Sequence, residues 1–278
     1  MKVRIISGVI GATLLISIIA LNQSFPILIN LIFALSTLAC VIEVLSANNS
    51  IKNYKISMPS MLLAVLFPML ISTNYWQILL AVYLLSVFII LLKYHTKIAF
   101  QDIAFAFTTT IIITGGFSSI IMWCDTNREF TSYFVLIALA IPWLADVGGY
   151  FVGSFFGKHK LCPLISPKKT VEGAVGGIIL GVLSPIIITL IFNSFLFTVP
   201  VQINFLNIII VSAVCTVVSI IGDLSFSLIK RTYNVKDYGS VIPGHGGILD
   251  RCDSLIFSTP ILLVLVNYLP LITIVKGW

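Results

Sequence analysis

A chain of 278 residues in which 59% are hydrophobic and only 9% charged, with mean hydropathy +1.11, cannot hide that much apolar surface in a soluble core. Its formal net charge of +6 does not indicate a nucleic-acid partner, because the basic residues lie between apolar runs and form neither an arm nor a continuous patch. Five cysteines, at 40, 124, 162, 215 and 252, lack paired spacing and indicate neither a disulfide framework nor a zinc site.

The opening stretch, MKVRIISGVIGATLLISIIALNQ, has the charged start of a signal peptide. Its apolar run is close to the ~20 residues of a membrane span and no A-x-A site follows, so it reads as an uncleaved first span. Runs able to cross a ~30 Å hydrocarbon core follow one another at 4–22, 26–46, 57–73, 76–93, 103–123, 132–155, 171–194, 203–224 and 255–274. The third, interrupted by Pro59 and Pro68, is the weakest. The expected fold is all-α: a polytopic integral membrane bundle of about nine transmembrane helices. Of the 16 lysines and arginines, 14 fall on one side of this arrangement and only Arg128 and Lys276 on the other. The positive-inside rule then makes the N-terminus cytoplasmic. Residues 1–130 are expected to supply N-terminal transmembrane helices, and 131–278 a catalytic region with cytoplasmic loops 156–170 and 225–254, within one membrane domain. Glu43 and Asp102, near cytoplasmic ends of their runs, read as solvated boundary residues. No internal repeat suggests inverted halves.

The stretch from Pro142 to Gly181 places Asp146 within an apolar run and Glu172 at the start of another. Both are second-tier candidates for an active site, to hold a second cation or a lysine, because a charge in a span is costly. Gly149, Gly153 and Gly157, then Gly173, Gly177 and Gly181, recur at four-residue intervals that let membrane helices approach closely. The stripes are read chiefly as packing and also admit a homodimer. Pro142 is expected to loosen the helix before Asp146. Ser166-Pro167 reads as a helix start, with Lys168, Lys169 and Thr170 near an anion-binding N-terminus.

Polar chemistry concentrates between Asp223 and Asp253, DLSFSLIKRTYNVKDYGSVIPGHGGILDRCD. Asp223, Ser227 and Lys230/Arg231 share a helical face, as do Asp250 and Asp253, and the run around His245, Gly246 and Gly247 is a turn between the two helix ends. Aspartates are hard oxygen donors suited to Mg²⁺. Lys230, Arg231, Lys236 and Arg251 can neutralise a polyphosphate, and the glycines let backbone N–H groups approach it.

The segments S-L-I-K-R at 227–231, K-D at 236–237, I-P-G-H-G-G at 242–247 and D-R-C-D at 250–253 resemble the signature of CDP-diacylglycerol synthases, the phosphatidate cytidylyltransferases. Cys252 departs from it, standing where the family usually has an aliphatic residue. A second resemblance covers D-V-G-G-Y and G-K-H-K-L-C-P-L-I-S-P-K-K-T-V-E-G, from Asp146 to Gly173. The resemblance implies that CTP and phosphatidic acid give CDP-diacylglycerol and pyrophosphate at a lipid bilayer, with no nucleic acid involved. It implies one or two cations, at least one of them Mg²⁺, held by Asp223, Asp250 and Asp253. Catalysis would rest on Asp223, Lys230, Arg231, His245 and Asp250. Lys169, Ser227, Lys236, Gly246, Gly247 and Arg251 would bind substrate. A bacterial inner membrane is the expected location, with the active site facing the cytoplasm. Two other readings compete. A CTP-dependent lipid-alcohol kinase would release CDP instead of pyrophosphate, and an ion-coupled transporter would use Asp146, Glu172 and Asp223 but leave the glycine-rich loop without a purpose.

Overall fold

The computed structural model describes residues 27–126, 128–241 and 246–275. The expected first span, 4–22, lies outside the described residues. Within them the chain forms eight α-helices: α1 (Ile27–Ala47), α2 (Tyr54–Leu70), α3 (Trp76–Tyr94), α4 (Phe100–Thr126), α5 (Thr131–Phe156), α6 (Val171–Phe195), α7 (Phe205–Thr232) and α8 (Leu249–Tyr268). Two antiparallel pairs complete it, β1 (Lys160–Cys162) with β2 (Ser166–Thr170) and β3 (Val201–Ile203) with β4 (Ile272–Ile274). Six of the described helices, α1 and α3 to α7, are long and apolar enough to cross a membrane. The protein is an integral membrane helical bundle.

Three boundaries differ from expectation. The third run is a helix of 17 residues displaced toward the N-terminus, Tyr54–Leu70 in place of 57–73, and Pro59 and Pro68 do not break it. The eighth run continues to Thr232, because Ser-Leu-Ile-Lys-Arg is itself acceptable helix sequence. The ninth starts at Leu249 and stops at Tyr268, before Pro270. Asn204 and Asn207 both donate side-chain N–H to the Pro270 carbonyl, at 3.0 and 2.9 Å, and residues 272–274 leave as a strand.

The chain divides into two compact units. The first holds the chain up to Asp125 together with Lys230–Cys252. Its core is built on Leu63, Phe67, Ile71, Tyr83 and Ile121, contributed by α2, its C-terminal flank, α3 and α4. Ser60 and Tyr83 share a buried hydroxyl contact of 3.2 Å there. The Lys55 ammonium sits 3.5 Å from the Tyr94 ring centroid, a cation–π contact between α2 and α3.

The second unit holds Thr126–Ile229 and the chain from Asp253. Its centre is the α5–α6 pair, where glycines bring backbones together. A Cβ added at Gly148 would lie 3.0 Å from the Gly176 carbonyl carbon, and one at Gly177 would lie 2.9 Å from the Ala145 oxygen. The stripes therefore pack helix on helix within the chain. At one end of the pair, Tyr133 donates to or accepts from Thr189 at 2.8 Å inside a cluster with Phe134, Phe192 and Phe197. Gly222 of α7 faces Phe257 of α8, and Phe226 meets the same ring edge-on at 5.8 Å.

Overpacking at such a contact costs about 1–3 kcal/mol or more. Gly148→Val should lower the melting midpoint in detergent by several degrees. Gly115→Ala, where an added Cβ meets nothing within 4 Å, should leave it unchanged or slightly raised.

Candidate active site

In the second unit, the polar centre is built by a hairpin and a helix. Thr170 caps α6, its hydroxyl accepting from the Gly173 N–H at 3.1 Å. Helix α6 thus starts at Val171, and Ser166-Pro167 lies in strand β2, which corrects the expected helix start. The strand geometry exposes Lys168 and turns Lys169 inward. The Lys169 ammonium donates to Asp223 of α7 as an ion pair, and the Ser227 hydroxyl donates to the other oxygen of that carboxylate at 3.3 Å, one turn along. All three are candidate site residues from sequence, and the fold brings them together.

Glu172 clasps the start of the hairpin. Its carboxylate accepts from the backbone N–H groups of Lys158 and His159 at 3.1 and 3.2 Å, and lies 2.7 Å from His159 Nδ1. The hydrogen bonds described for it go to the start of the hairpin and not to Asp223. Asp146 accepts from the Ser254 hydroxyl at 3.4 Å. Asp253, 5% exposed, accepts from the backbone N–H of Ser254 at 2.8 Å.

The first unit contains a second lysine–aspartate pair. Helix α7 ends in a Schellman turn, with Asn234 left-handed at φ 55°, its N–H donating to the Arg231 carbonyl and the Val235 N–H to that of Lys230. This termination fixes where Lys230 emerges. Its ammonium donates to Asp250 at 2.8 Å and lies 5.4 Å from the Tyr238 ring centroid. The second oxygen of Asp250 accepts from the backbone N–H groups of Tyr238 and Gly247, at 2.9 and 3.0 Å. Asp250 reaches back three residues to Gly247 as an acid does in a capping box. Its side chain is 4% exposed and that of Lys230 13%, so this is a largely buried pair in which both carboxylate oxygens have donors. Gly246 takes φ +86°, a value glycine adopts without strain, and an added Cβ there would stand 3.1 Å from the Asp250 carboxylate. Arg231, Lys236 and Arg251 are exposed around the segment. His245 lies outside the described residues. Near the helix end, Tyr233 packs edge-on against Phe105 at 4.9 Å, and burial together with the Asp102 charge raises its phenol pKa.

One residue of this unit was misjudged from sequence. Glu43 is not a solvated boundary residue: it is 5% exposed, and its carboxylate accepts from the backbone N–H groups of Ile248 and Leu249 at 3.0 and 2.8 Å. The available signal was the acid itself inside an apolar run, since such a charge needs a partner.

Among the described residues, no three His, Cys, Asp or Glu side chains stand together as a ready metal cage. The arrangement offers instead separate carboxylates, each matched to cationic or backbone donors. Such a donor set fits Mg²⁺ only as that ion usually binds, through one or two carboxylates together with substrate phosphates and retained waters.

A model of the cytidylyltransferase family matches residues 2–269. The chain belongs to this family. A protein of Staphylococcus epidermidis named phosphatidate cytidylyltransferase is 33% identical over 273 residues, covering 95% of this chain and 98% of the relative. One of the same name from Staphylococcus aureus strain COL is 32% identical over the same length and coverage. Another, from Staphylococcus haemolyticus, reaches 37% over 186 residues, 66% of this chain and 67% of the relative. The correspondence thus runs through the helices of both units and is not confined to the glycine-rich loop.

Contacting charges couple by about 0.5–3 kcal/mol. Lys169→Met and Asp223→Asn should each depress the melting midpoint, and the double variant should be no less stable than the worse single one. Additive losses in a double-mutant cycle would mean the pair is not formed.

Proposed function

We propose that this protein transfers the cytidylyl group of CTP to phosphatidic acid, giving CDP-diacylglycerol and pyrophosphate. The observation that carries the reading is the largely buried Lys230–Asp250 pair, set beside glycines where the backbone N–H groups of Tyr238 and Gly247 meet the same carboxylate. In the reaction an oxygen of the lipid phosphate forms a bond to the α-phosphorus of CTP. The bond from that phosphorus to the bridging oxygen breaks, and its electron pair leaves with pyrophosphate. The nucleophile is already anionic at neutral pH, so no strong base is required. What must be overcome is repulsion between two polyanions, by fixed cations and orientation.

The chain supplies both. An ammonium has three donors. Lys169 and Lys230 can each keep one N–H on their aspartate and turn the others to phosphate oxygens. Asp223 and Asp250 thereby act as the struts that aim the two lysines. Arg231, Lys236 and Arg251, exposed around the glycine-rich segment, add positive charge for the triphosphate. Mg²⁺ is part of this proposal: Asp223, Asp250 and Asp253 are each candidate oxygen ligands, and the ion would supply further charge neutralisation when bound. Because 14 of the 16 basic residues fall on one side of the expected topology, we place the chemistry on the cytoplasmic face of a bacterial inner membrane, where CTP is available.

Purified protein given phosphatidic acid, labelled CTP and Mg²⁺ should release pyrophosphate and yield a labelled lipid. Release of CDP with an unlabelled lipid phosphate, formed from a lipid alcohol, would establish the kinase reading instead. Asp250→Asn should lower turnover by about a hundredfold or more, the scale on which one preorganised electrostatic contact acts, with the fold retained. Full activity in chelator without any divalent ion would remove Mg²⁺ from the mechanism.

A further inference from the structure

We infer that Glu43, on α1, is a positioning residue for the cytidylyl-transfer site; this rests on the function proposed above. Three features of the first unit converge on it. Its carboxylate takes the backbone N–H groups of Ile248 and Leu249, the first donors of α8, which have no partner within the helix. The charge also lies at the positive end of the α8 dipole. Two loop glycines give it room: a Cβ on Gly239 would lie 2.9 Å from the Glu43 carboxyl carbon, and one on Gly247 would lie 2.7 Å from it.

These contacts alternate with those of Asp250. Tyr238 and Gly247 donate backbone N–H groups to Asp250, while Gly239 and Ile248, the next residue in each case, lie against Glu43. Tyr238–Gly239 and Gly247–Leu249 are thus held between two carboxylates. Asp250 engages Lys230 on one side, and Glu43 anchors the backbone from the other. Among the described residues, the hydrogen bonds of Glu43 go to the Ile248 and Leu249 backbone and not to Lys230. Its effect on the reaction passes through the backbone of Gly247–Asp250, which sets where the Asp250 carboxylate holds the Lys230 ammonium.

Glu43→Gln retains an acceptor oxygen for one N–H group but presents an amide to the other. Glu43→Ala removes both acceptors, and Gly239→Ala presses on the same carboxylate from the loop. Hydrogen exchange on the full-length protein in detergent should show the Ile248 and Leu249 amides exchanging at least tenfold faster in Glu43→Ala, with the α5–α6 pair unchanged. In cytidylyl-transfer assays, kcat should fall at least tenfold in Glu43→Gln, further in Glu43→Ala and detectably in Gly239→Ala. KM for phosphatidic acid should stay within about twofold. Combined with Asp250→Asn, Glu43→Gln should cause little additional loss, because both act through one segment.

A Glu43→Gln protein with wild-type kcat, or a loss fully additive with that of Asp250→Asn, would overturn the proposal. So would unaltered exchange at Ile248 and Leu249 in Glu43→Ala. A uniform fall in melting midpoint with kcat per folded molecule preserved would also reject it, as a purely structural role. If the wild-type protein performs no cytidylyl transfer, the function proposed above fails, while the exchange measurement still decides whether the anchor exists.

Discussion

A charge placed in an apolar helical protein must be matched where it stands. Each buried or half-buried acid described above has its donors. Asp223 takes Lys169 and Ser227; Asp250 takes Lys230 and two backbone N–H groups; Glu43 takes two more. Removing one partner from such a set leaves an uncompensated charge, which is far more damaging than replacing the whole set by apolar groups. The cost of burial therefore makes each cluster a unit whose members keep one another in place. For a reaction between two anions, that arrangement is useful in itself, because the lysines are held before substrate arrives.

Ordinary local structure carries these clusters. A Thr cap starts α6 immediately after a short strand, so Lys169 leaves the hairpin turned toward α7. Glycine contacts between α5 and α6 let the two helices flanking the hairpin come close enough for Glu172 to clasp its first residues. A left-handed asparagine stops α7 just beyond the lysine that reaches Asp250. None of these devices is chemical, yet each decides where an ammonium group points.

The residue types, the membrane class and most helices were legible from sequence because they depend on local signals: long apolar runs, clustered acids and lysines, glycines at turn positions. Pairings were not. Lys169 and Asp223 are separated by 54 residues, and Glu43 and Ile248 by 205, so nothing local says which acid meets which donor. Glu43 was misread because its partners are backbone amides, which every sequence possesses and none advertises. Ser166-Pro167 suggested a helix start, but Thr170 with the Gly173 amide three residues on was the stronger cap. The glycine stripes admit both packing within the chain and a dimer; within the chain Gly149, Gly153, Gly173 and Gly177 lie between α5 and α6, and Gly181 meets Thr216 of α7.

Helix α7 is 28 residues long. At ~1.5 Å per residue it extends about 42 Å, some 12 Å more than a ~30 Å hydrocarbon layer requires. An upright α7 would carry its last two turns, with Ser227, Lys230 and Arg231, up to the level of lipid phosphates. A phospholipid could then present its headgroup to these side chains while its acyl chains stay in the bilayer. On this geometry, bilayer thickness sets the height of the lysines relative to their lipid, and membranes of different chain length would tune the enzyme without any change in its sequence.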